Sequence, residues 1–82
     1  MERFILELTV ANRCGVLNRI TGLYAKNKYN IDSLTVHETH DPELSIMRIV
    51  SKGDAAIQCR MIRQLRKLFD VKTVVLLNNS TL

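Results

Sequence analysis

The chain has no tryptophan, one proline, three glycines, two cysteines, two phenylalanines and two tyrosines among its 82 residues. So little glycine and proline excludes a collagen-like or low-complexity chain. Cys14 and Cys59 lie far apart and form no CxxC pair, and His37 and His40 add no ligand at a recognisable spacing. That excludes a zinc ribbon or a disulfide scaffold. A run of 18 apolar residues is missing, as is a cationic leader followed by an apolar block. We therefore expect neither a membrane span nor a secretory signal, and free thiols in a cytoplasmic protein.

What is present is an ordinary globular composition, 46% hydrophobic and 24% charged,. The length suits one domain over residues 1–78, with 79–82 as a polar tail,. A domain this small buries only roughly 60–65% of the surface its unfolded chain exposes, so self-association is an expected supplement. The net charge is +4, and Arg60, Arg63, Arg66 and Lys67 concentrate much of the excess. Such a cluster is ordinarily a solvated helix face. With no aromatic platform on central strands to stack bases, nucleic acid is not expected as a partner.

Alternation from Phe4 to Val10 predicts a half-buried strand,. Val16, Leu17, Ile20, Leu23 and Tyr24 recur at helical spacing and predict an amphipathic helix from Gly15 to Asn27, in which Gly22 is expected to permit close packing on a sheet,. A second strand is predicted over Ile31 to Thr39. His40-Asp41-Pro42-Glu43 reads as a type I turn into a third strand, Leu44 to Ser51,. Asp54 is a good N-cap for a second helix with Ile57, Met61, Leu65 and Leu68 inward, and Val71 to Leu77 is a fourth strand,. The order βαββαβ, with right-handed crossovers, gives an α+β ferredoxin-like sandwich: a four-stranded antiparallel sheet with both helices on one face. If Leu6, Leu8, Met47 and Ile49 face the helices, then Ile46, Arg48 and Val50 face away, and Ile5, Val74 and Leu76 are expected to join them. An aliphatic face of that size reads as an interface.

Catalysis needs a nucleophile with a base, or paired carboxylates, converging on a pocket. Cys14 sits at a helix start, but no histidine is placed to serve it as a base. Glu7, Asp32 and Glu38 are dispersed, so we expect no enzyme. The stretch Asn12-Arg13-Cys14-Gly15-Val16-Leu17 is more informative. A strand running through Asn and Gly into a helix leaves backbone N–H groups at a positive dipole end, where a small carboxylate or phosphate is held. The second strand is expected at a sheet edge, and edges are paired or protected. Pairing two copies there brings each glycine turn near the partner's Asn30, with Val16 and Ile31 lining an apolar pocket. From the residues alone, turn capping explains Asn12 and Asn30 equally well.

Asn12 to Ile20, Gly22-Leu23-Tyr24, Tyr29-Asn30-Ile31-Asp32-Ser33-Leu34-Thr35-Val36, Asp41 to Ser45 and Gln64 to Val71 occur together and in order. Jointly they resemble the ACT domain of acetolactate synthase small subunits. The resemblance implies a non-catalytic regulatory subunit. It would bind a branched-chain amino acid, typically valine, at an ACT homodimer interface, mediate feedback inhibition, and activate the catalytic subunit of the synthase. Asn12, Gly15 and Asn30 would be ligand residues, with Val16, Leu17 and Ile31 giving backbone or pocket contacts. Thiamine diphosphate, FAD and magnesium would belong to the catalytic partner, with no cofactor in this chain. The alternative is a stand-alone ACT interaction module that regulates another enzyme or binds no metabolite.

Overall fold

The computed structural model describes residues 2–77; the expected polar tail lies outside them. The elements are β1 (Arg3–Ala11), α1 (Val16–Lys26), β2 (Ser33–Glu38), β3 (Leu44–Lys52), α2 (Ala55–Arg66) and β4 (Val71–Leu77). The sheet order is β2-β3-β1-β4 with every neighbour antiparallel. This is the ferredoxin-like arrangement, with β2 on an edge. Phe4, Leu6, Leu8 and Val10 of β1 meet Met47 and Ile49 of β3, Val16, Ile20 and Tyr24 of α1, and Met61 and Leu65 of α2 in one core.

Helix α2 starts where expected: the Ile57 N–H donates to the Asp54 carboxylate at 3.0 Å, satisfying one of the helix's orphan donors. The Asp41–Pro42 turn closes with the Leu44 N–H on the Asp41 carbonyl at 3.0 Å. The strand β2 is shorter than the sequence predicts, because Asp32 already leaves the regular ladder while still donating its N–H to the Val50 carbonyl at 2.7 Å. Both cysteines are free and exposed.

Two expectations need correction. Val74 and Leu76 do not lie on the helix-free face: they pair with Leu8 and Leu6, so they share the helix side, and Val74 is buried. The cause is an irregularity in the β1–β4 ladder. Thr9 pairs with Thr73 but Val10 with Val71, so one residue of β4 has no opposite number and the face parity changes. Val71 and Val74 are therefore both buried although three positions apart. The helix-free face carries Ile5, Ile46, Val50, Val75 and Leu77 around a Glu7–Arg48 ion pair of 2.8 Å. Gly22 does not serve close packing either, since a Cβ there would meet nothing within 4 Å; the tight position is Gly53, where a Cβ would lie 2.6 Å from Ile57 Cγ2. Ile62, beside the basic face of α2, is partly buried against the core.

Candidate functional site

The β1–α1 turn is shaped by Gly15, whose φ of 89° is a left-handed conformation that costs a side-chain-bearing residue free energy,. No side chain caps α1. Val16 donates its N–H back to the Arg13 carbonyl at 3.4 Å, a long bond, and the Leu17 and Asn18 N–H groups take no acceptor from the described chain. With the dipole of an 11-residue helix behind them, these groups favour an anionic group in front of the turn.

Asn12 fastens the turn to the β2–β3 hairpin. Its backbone N–H donates to the Glu43 carbonyl at 2.7 Å and its side-chain amide to the Pro42 carbonyl at 3.0 Å. That leaves the Asn12 Oδ1 acceptor outside these bonds. Val16 is buried in the core, so only its backbone faces the turn, whereas Leu17 is 43% exposed.

Sequence reasoning missed Asp70. Its side chain is only 9% exposed, and it faces Arg13 Nε at 3.5 Å and Arg19 Nη1 at 3.3 Å. Its carbonyl accepts the Ala11 N–H at 2.8 Å. The α2–β4 loop thus grips both sides of the glycine turn. Asp70 Oδ1 is buried without a hydrogen bond of its own, so the two guanidinium groups are its compensation. Next to it, Phe69 stands 76% exposed, with Arg13 Cζ 6.0 Å and Lys72 Nζ 5.1 Å from the ring centroid. A signal for this cluster was present only as residue types; 51 positions separate Arg19 from Asp70, and nothing but the sheet register joins them.

Asn30 and Ile31 are elsewhere. The β2–β3 register begins with Ser33 opposite Val50, and β1–β3 places Ala11 opposite Leu44. Within one chain, Asn30 and the Gly15 turn therefore stand at opposite poles of the sheet. The Asn30 amide donates to Asp32 Oδ1 at 3.1 Å, and Asp32 Oδ2 faces Arg3 and Lys52 at 3.7 and 3.8 Å. Ile31 packs against the core edge. A depression of about 550 Å³ lies at neither pole's candidate residues but along α2, lined by Cys59, Ile62, Arg63, Arg66 and Lys67.

The βαββαβ sandwich with strand order β2-β3-β1-β4 is the fold of the ACT class of domain. The model of the AHAS small subunit-like ACT domain matches residues 6–73, and the chain belongs to that family. It is 45% identical over 73 residues to the acetolactate synthase small subunit of Haemophilus influenzae, covering 89% of this chain and 45% of that protein. The acetolactate synthase isozyme 3 small subunit of Escherichia coli is 44% identical over 72 residues, covering 88% of this chain and 44% of its own length. The crystal structure of the acetolactate synthase small subunit from Thermotoga maritima superposes with a TM-score of 0.90 at 30% identity, covering 98% of this chain and 50% of that one. The chain thus spans about half the length of the curated relatives it matches.

Proposed function

We propose that this chain is the effector-sensing ACT domain of an acetolactate synthase regulatory subunit. It is not itself catalytic. A branched-chain amino acid, valine in the first instance, lies between two copies. The Leu17 and Asn18 N–H groups beyond Gly15 hold its carboxylate, Asn12 Oδ1 and the partner copy's Asn30 receive its ammonium, and Leu17 with the partner copy's Ile31 flanks its side chain. Thiamine diphosphate, FAD and magnesium reside in the catalytic subunit, and the assembly works in the cytoplasm.

The observation that carries this reading is the polar separation of Asn30 from the glycine turn. One chain cannot close the site. The β2 edge is exposed along nearly its whole length, and a two-fold pairing of two such edges reverses the second copy, bringing its Asn30 to the pole of the first copy's turn. Helix α1, crossing from β1 to β2, covers that side of the sheet. Occupancy then favours one arrangement of the dimer, and a coupling of ~1–3 kcal/mol is enough for feedback on the catalytic partner.

Isothermal titration with valine, leucine and isoleucine tests the reading. Saturable heat is expected from at least one of them. Asn30→Ala should weaken it about tenfold or more, the loss of ~1.4 kcal/mol, with an unchanged circular dichroism spectrum. No heat from any of the three at millimolar concentration, with folded dimer present, overturns the effector site.

A further inference from the structure

We propose that Phe69 is the anchor by which this chain docks on the catalytic subunit of acetolactate synthase, in an apolar socket rimmed by carboxylates, and that Arg13 links this anchor to the effector turn. The inference rests on the regulatory reading above and names the surface through which it acts.

Phe69 is the most exposed large hydrophobic residue among those described, 76% against 43–48% for Leu17, Val36, Val75 and Leu76. It is not on a loose segment. Leu68 donates its N–H to the Leu65 carbonyl and Val71 to the Leu68 carbonyl, both at 3.1 Å, while the Asp70 carbonyl takes the Ala11 N–H at 2.8 Å. A ring held outward on a hydrogen-bonded loop loses little freedom on binding, and an aromatic beside an arginine is the usual composition of an interface hot spot.

The chemistry of the rim selects the partner. Arg13 and Lys72 approach the ring. Arg13 shares one carboxylate, that of Asp70, with Arg19, and Lys72 has no acidic partner among the described residues. The corner therefore carries surplus positive charge around an apolar centre. A second copy of this chain fits it poorly, because a two-fold contact through Phe69 sets cations against cations. A single-stranded nucleic acid is matched less well, since its binding platforms use several stacking rings and this corner has one. A protein socket with acidic residues at its edge satisfies both ring and rim.

Arg13 lies two residues before Gly15 and touches both the Asp70 carboxylate and the Phe69 ring. Any resetting of the turn by a bound effector moves this side chain and so alters the rim of the anchor. Linkage requires the reverse as well: docking must alter effector affinity by the same factor.

The test measures binding of this chain to the purified catalytic subunit of acetolactate synthase from the same organism, with and without valine. Phe69→Ala should weaken docking tenfold or more while leaving the melting temperature and the heat of valine binding unchanged. Arg13→Gln should bring the effect of valine on docking close to onefold. Docking of Phe69→Ala at wild-type strength overturns the anchor, as does loss of valine binding together with docking. An unchanged valine effect in Arg13→Gln overturns the link. If the wild-type chain binds valine but not the catalytic subunit, the docking inference falls and the effector site stands; if it binds neither, both fall. An oligonucleotide that binds the wild type and not Phe69→Ala reassigns the corner to nucleic acid and overturns the inference.

Discussion

Tyr24 shows what burial does to a single group here. Its phenol is fully enclosed, and neither its hydroxyl nor that of Ser51 finds a partner in bonding geometry. Burial pushes the Tyr24 phenol up to about 12, with the nearby Ser51 hydroxyl opposing the shift to a lesser degree. The folded state thus favours the neutral form, and the resulting stability is present in full below the ordinary value of 10.0 and lost as pH rises through about 12,. A shift of this size corresponds to a loss on the order of 2–3 kcal/mol. Urea denaturation at neutral pH and near pH ~12 should show that loss in the wild type and not in Tyr24→Phe. At neutral pH the variant should be equal in stability or up to ~1 kcal/mol more stable, since it removes an unpaired buried hydroxyl. At this scale the sequence was legible where a residue acts on its near neighbours, as Asp54 does in capping and Asp41 in its turn. Asp70 was not legible, because its meaning comes from arginines far along the chain.

Among the elements, α2 depends most clearly on a local signal. Asp54 accepts the Ile57 N–H, the helix has no acidic residue in its first turn, and its outer face is densely basic. Asp54→Ala should therefore cost ~1 kcal/mol by denaturant titration, with the slope of the transition unchanged. A fall in slope would mean that the whole helix detaches. Periodicity foretold all six elements in order. It failed on the facing of β4, where Val74, Val75, Leu76 and Leu77 offer apolar side chains at both parities. The bulge opposite Thr9 and Val10 decides which pair turns inward, and a bulge leaves no mark in an unbroken apolar run. Gly22 misled for a related reason: a helical glycine is equally compatible with close packing and with open space, and here it faces open space.

For the whole molecule, the arrangement of candidate residues at two poles makes association the central expectation. Val36 is 48% exposed on β2 and shares the helix side of the sheet with Met47. In a dimer paired through β2 it meets the seam. Val36→Lys should place like charges there, raising the dimer dissociation constant in sedimentation tenfold or more, ~1.4 kcal/mol, while the monomer stays folded. A variant that dimerises as tightly as the parent removes β2 from the contact. The candidate site itself was half legible: the strand order already placed the glycine turn and Asn30 on different copies, but the Asp70 carboxylate that holds Arg13 and Arg19 beside the turn left no local signal.

The strand register has a practical corollary. The outer ladder closes with Ile5 across from Leu77, which sets the entry of β1 and the exit of β4 side by side, far from Gly15 and Phe69. Dyes, purification handles or surface tethers joined near these two strand ends start a full strand length away from the glycine turn and Phe69. They start beside the pole that carries Asn30, where Arg3 faces the Asp32 carboxylate that Asn30 also contacts. A label placed at this pole therefore leaves Gly15 and Phe69 facing the solution, while one that crowds Asn30 should disturb the proposed pairing of two copies.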